Sequence, residues 1–126
     1  MEDTETITSL SNQLVKRIRR LQEKTRARQS EQAFFVEGVP ITLKAFENHA
    51  PIETIVYCDM LLTSEGGRMA LERQQARGIP CIALSERVFR KVSQRNNPDG
   101  LGAICRTNWQ DLDSLIPKPS DVFVAM

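Results

Sequence analysis

Histidine, tryptophan and tyrosine each occur once in this chain, cysteine three times, and no long apolar run occurs at all. A single histidine, His49, cannot be built into a metal cluster or a Ser/His/Asp arrangement. It falls just past a predicted helix, where a surface or C-capping role accounts for it. Cys58, Cys81 and Cys105 are odd in number, lie inside apolar segments and form no CxxC pair. That pattern reads as reduced thiols packed in strands, not as disulfides or a zinc site. Neither a GxGxxG nor a P-loop is present, so no nucleotide cradle can be argued. The longest apolar stretches fall far short of the roughly 18–20 residues that a membrane span needs. Met1-Glu2-Asp3-Thr4-Glu5 is acidic and polar, unlike a signal or transit peptide, and a cytoplasmic protein is the expectation. With one Trp and one Tyr, and Trp109 in a linker-like segment, a stacking platform of the RRM kind is not expected.

What is present is a local excess of positive charge. The formal net charge is +1, from 17 basic and 16 acidic residues. Yet Lys16, Arg17, Arg19, Arg20, Lys24, Arg26 and Arg28 lie together with Glu23 as the one acid among them, and the rest of the chain is net acidic. Solubility alone is served by mixed signs. A one-signed segment on a balanced protein reads as a polyanion-binding element.

The periodicities alternate between helix and strand. Asn12 can cap a helix in which Leu14, Ile18 and Leu21 share one face, widened by Val15, while Lys16 and Arg20 line another with Arg17 and Lys24 beside them. After a polar stretch at 22–32, AFFVEG (33–38) reads as a short buried strand ending in a glycine turn. Pro40 then suits the first turn of a helix carrying Leu43, Ala45 and Phe46. IETIVYC (52–58) is a second strand, residues 65–77 a helix ended by Gly78, and IPCIAL (79–84) a third strand. Ser85 caps a helix bearing Val88, Phe89 and Val92, and LGAIC (101–105) is a fourth strand. Regular alternation of this kind predicts a three-layer α/β domain with about four strands in a largely parallel sheet, with room for edge strands to run the other way. Residues 107–121, with Pro117 and Pro119, read as a linker, and DVFVAM (from residue 121) starts an apolar strand at the head of a second domain.

The ordered set NQLVKRIRRLQEKTRAR (12–28), FFVEG (34–38), PIETIVY (51–57), GIP (78–80) and SERVFRKVSQRNNPDGLGAI (85–104) resembles the N-terminal substrate-binding domain of SpoU-type (TrmH-like) RNA 2′-O-ribose methyltransferases. The resemblance covers roughly residues 12–106. It implies the α/β/α sandwich shared with ribosomal proteins that bind kink-turn RNA. It also implies a knotted SPOUT domain after the linker, beginning at 122–126, that binds S-adenosylmethionine and transfers the methyl group. That family's catalytic domain has a first motif of the form N-x-G-A-x-x-R-T, which DGLGAICRT (99–107) imitates. Gly100, however, stands where the asparagine belongs, and the stretch follows the helix SERVFRKVS directly. Residues 93–105 are therefore read as a turn and the last strand of the binding domain, and this chain by itself as holding neither a catalytic residue nor a methyl-donor site.

By the charge pattern and the resemblance together, the candidate RNA-binding residues are Asn12, Lys16, Arg17, Arg20, Arg26 and Arg28, with Glu37 at the strand end. Arg90, Lys91 and Arg95 form a second cluster beside Arg87, able to extend the same surface if the two helices are neighbours. The expected partner is ribosomal or transfer RNA, bound through phosphates and shape. The chain alone is expected to be monomeric, the intact protein a homodimer through the missing domain. Two other readings stay open: a stand-alone ribosomal-type RNA-binding protein, and a protein-interaction module docking through its basic helix.

Overall fold

The computed structural model describes residues 6–107. Asn12 caps the first helix, α1 (Gln13–Glu23), its side chain accepting the Leu14 N–H at 2.8 Å. Val15, Ile18 and Leu21 are fully buried, and Leu14 packs at the rim of their stripe. Lys24 takes an extended conformation that ends α1, and α2 (Thr25–Glu31) follows at once. The stretch 22–32, read as merely polar, thus contains a helix. It buries no residue, so it carries no apolar period by which to find it.

The remaining elements are β1 (Ala33–Glu37), α3 (Val39–Glu47), β2 (Ile52–Tyr57), α4 (Glu65–Ala76), β3 (Cys81–Ala83), α5 (Glu86–Val92) and β4 (Leu101–Arg106). Pro40 lies in the first turn of α3, and Ser64 and Ser85 cap α4 and α5 through their hydroxyls. Gly78 follows α4 with a φ of +91°, the expected terminator.

The sheet order is β1-β4-β2-β3. β2 and β3 are parallel, whereas β4 is antiparallel to both β1 and β2. Three strands therefore point one way, and the reversed strand is an inner one. This corrects the expectation of a largely parallel sheet with reversal at an edge. The loop after α5 returns the chain to the end of the sheet where β1 and β2 finish, the Cys58 N–H donating to the Gly100 carbonyl and the Gly38 N–H to that of Leu101. From there β4 runs against them. The outer edge of β3 is met by Ile7, whose N–H donates to the Ala83 carbonyl at 2.8 Å.

Helices cover both faces, giving the three-layer sandwich. On one face α1 and α5 enclose Val15, Ile18, Leu21, Val88, Phe89 and Ile104. On the other, α3 and α4 enclose Val39, Phe46, Ile55, Leu71, Leu101 and Ala103. All three cysteines are buried and unbridged, as their spacing predicted.

Candidate nucleic-acid interface

The two basic clusters share one layer. α1 and α5 pack side by side, and the Gln22 amide donates to the Val92 carbonyl at 2.8 Å across the seam. Helices α1, α2 and α5 carry four, two and three basic residues against one acid each, while α3 and α4 carry equal numbers of each sign. The excess of positive charge on the helices is thus confined to one outer face.

Within that face the cations divide into two groups. Lys16, Arg26 and Lys91 are exposed and make no side-chain hydrogen bond or ion pair among the described residues. Arg19 and Lys24, counted in the basic segment but not singled out from the sequence, stand equally free. The others are occupied within the protein. Arg17 pairs with Glu31 at 2.8 Å and with Glu53, Arg20 also pairs with Glu31 at 2.8 Å, and Arg90 pairs with Glu86 at 2.9 Å. Arg28 turns inward, its Nη1 on the Leu21 and Gln22 carbonyls and its Nη2 on Thr25 Oγ1.

Glu53 owes its place to a bulge. The register between β2 and β4 slips between Ile52 and Thr54, so the extra residue is aimed aside to meet Arg17 and Arg106. The Arg17 guanidinium holds the carboxyls of both Glu53 and Glu31 below their ordinary range, against the opposing effect of burial. Glu53 in turn holds Arg17 charged still more firmly than usual. Arg17 thereby locks α1 to α2 and to the sheet.

A cleft of about 390 Å³ opens at the edge of this layer, where α1 ends, between α2, β1 and the loop after α5. It brings together Arg28, Glu37 and Arg95 of the sequence candidates, with Gln22, Gln94 and Phe35. Phe35 reaches it because Gly102, across the sheet, has no side chain: a Cβ there would stand 2.5 Å from the Phe35 ring. Glu37 fastens the loop, accepting from the Ser93 hydroxyl and from the Gln94 N–H. Arg95 lies over Gly38, which has a φ of +113°, and reaches Asp99 at 3.4 Å. Asp99 in turn accepts the Val39 N–H at 2.8 Å, closing the N-terminus of α3. Residues 93–100 form the turn and Leu101–Arg106 the strand that the sequence reading assigned. No sequence signal linked Phe35, Gln22 and Gln94 to this place, because the cleft joins segments far apart in the chain.

No reactive constellation accompanies the cleft. Among the described residues no group of three His, Cys, Asp or Glu side chains is placed to hold a metal. Burial pushes the thiols of Cys81 and Cys105 up to about 11, far from nucleophilic at neutral pH. His49, with a φ of +57°, ends α3 just past its cap residue Asn48. S-adenosylmethionine does not fit here either. Its sulfonium is a cation, and the cleft presents two guanidiniums and a carboxylate already committed to its own loop. No helix among the described residues is long and apolar enough to cross a membrane.

Comparison with solved structures returns the same fold in larger proteins. An rRNA methyltransferase from Sinorhizobium meliloti matches with a TM-score of 0.67 and 26% identity, over 83% of this chain and 38% of that one. An RNA 2′-O ribose methyltransferase matches at 0.65 and 28%, over 82% and 38%. The SpoU methyltransferase AviRb from Streptomyces viridochromogenes, solved with its cofactor AdoMet, shares the fold at 0.66, over 83% and 37%. The chain therefore spans well under half the length of these proteins. No curated protein matches it. A family model described as the MRM3-like substrate binding domain matches residues 12–103, from the cap of α1 into β4, and the chain belongs to that family.

Proposed function

We propose that this domain is the RNA-binding part of an S-adenosylmethionine-dependent RNA 2′-O-ribose methyltransferase, holding ribosomal or transfer RNA for methylation by a second domain. The observation that carries the reading is the set of free cations, Lys16, Arg19, Lys24, Arg26 and Lys91, collected on one layer of a fold whose other layer is balanced in sign. Family membership and the RNA methyltransferases that share the fold support it. In this reading the free cations contact phosphates and give affinity and orientation without reading sequence. Methyl donor, catalytic residues and dimer contact belong to the second domain.

The test is a titration with fluorescent single-stranded rRNA and tRNA pieces at several salt concentrations. Five phosphate contacts give a slope of log K against log salt of about −3.5, at roughly −0.7 per contact. A Lys16/Lys24/Arg26 triple alanine variant is expected to weaken binding and bring the slope to about −1.4 on the same scale. Unchanged affinity and slope in the variant, or no RNA binding by the folded protein, would overturn the reading. Binding instead to an acidic protein partner would favour an interaction module.

A further inference from the structure

We propose that the cleft at the end of α1 takes one unpaired nucleotide of the RNA, its base against the Phe35 ring and its phosphate towards Arg28 and Arg95. The inference rests on the RNA-binding reading and adds to it a site for a single base.

Size sets the class of ligand. About 390 Å³, open to solvent, admits a nucleotide but excludes a duplex. Shape gives the orientation. Phe35 is the aromatic surface in the cleft, and the missing side chain at Gly102 lets its ring sink against the sheet, leaving space above it. A base laid on such a ring gains stacking energy whatever its identity. Charge decides which end goes where. Glu37, its oxygens taken by Ser93 and Gln94, repels a phosphate, and Gln22, whose amide nitrogen is spent on Val92, offers its oxygen as an acceptor for base N–H groups. The phosphate belongs with the guanidiniums at the margin. Three contacts pin Arg28, leaving its Nε–H and one Nη2–H unspent of five. It is therefore oriented before any ligand arrives. A paired base keeps its edge and both faces occupied, so only an unpaired one can enter.

The experiment is an abasic scan. An RNA hairpin that the protein binds is made in versions each lacking one loop base, and affinities are measured for the wild-type protein, Phe35→Leu and Gln94→Ala. One loop position is expected to matter, its base removal costing the wild type about tenfold, within the range for a stacked base. Phe35→Leu should bind the intact hairpin about tenfold more weakly and respond to no abasic position. Gln94→Ala, at an exposed loop residue, is the guard against a folding defect in Phe35→Leu, and should shrink the same single-position effect. Equal affinities across the whole scan, or a scan unaltered in both variants, overturns the nucleotide site while leaving RNA binding intact. Absence of binding to every hairpin overturns both readings together. Nucleoside monophosphates form the last arm. Failure to displace the hairpin at millimolar concentration supports a site for a nucleotide within a strand, whereas displacement at micromolar concentration overturns it in favour of a free nucleotide.

Discussion

Single residues at the cleft behave differently from what their local sequence announces. Gly102 sits in DGLGAICRT, a stretch that imitates a catalytic motif, yet its role is to make room for a ring on the neighbouring strand. Changing it to Val would drive the Phe35 ring upward into the cleft or force the strands to shift. Overpacking of this sort costs about 2 kcal/mol, which a urea melt of the variant would read directly. Gly38 is held to glycine by its φ of +113°, whereas the Arg95 guanidinium above it could swing aside. Glu37-Gly38 was legible as a strand end from sequence, whereas the partners Ser93, Gln94 and Arg95 were not, since only the folded chain brings them near. The burial of the cysteines was legible from their apolar context, although Cys58 lies just past the end of β2 and not within it. With the thiols of Cys81 and Cys105 pushed up to about 11, Ellman's reagent is expected to label neither before denaturant unfolds the protein.

Among the elements, legibility followed burial. α1, α3, α4 and α5 each have an apolar face and a recognisable start, so pattern reading located them to within a residue or two. α2 has no buried face, and what keeps it is charge: Glu31 receives both Arg17 and Arg20. The direction of β4 escaped as well, because strand patterns carry no sign of polarity and the place where the loop after α5 re-enters the sheet decides it. The bulge at Glu53 is the matching device on the sheet. Since the folded-state carboxyl of Glu53 is held below its ordinary 4.5, the stabilisation it supplies is present above that pH and is lost as acid protonates it. Glu53→Gln is therefore expected to cost about 1 kcal/mol at pH 7, as for a partly exposed network of pairs, and nothing once the pH is low enough to protonate Glu53 in the wild type. Denaturant melts of both proteins at pH 7 and in acid check this, and a constant difference across pH would contradict it.

At the scale of the whole molecule, the sheet separates two helical layers of different electrical character. Their roles in binding should separate too. Replacing Arg73 and Arg77 with alanine, on the layer of α4, is expected to leave RNA affinity within about twofold, while losses on α1 and α2 flatten its salt dependence. The layered architecture was legible from alternation alone; the gathering of α1 and α5 into one layer was not, since it depends on strand order. That order has a temporal side. β1 has β4 as its strand neighbour, and β4 comes after every other element described. A chain emerging from the ribosome can join β2 to β3 early, but it holds β1, with Phe34 and Phe35, unpaired until Arg106 is clear of the exit tunnel. The same late event seats the Phe35 ring on Gly102 and brings Gln94 and Arg95 to the cleft. Unfinished chains therefore carry the basic helix without the cleft, and on the function proposed above would adhere to RNA before they could select any feature of it.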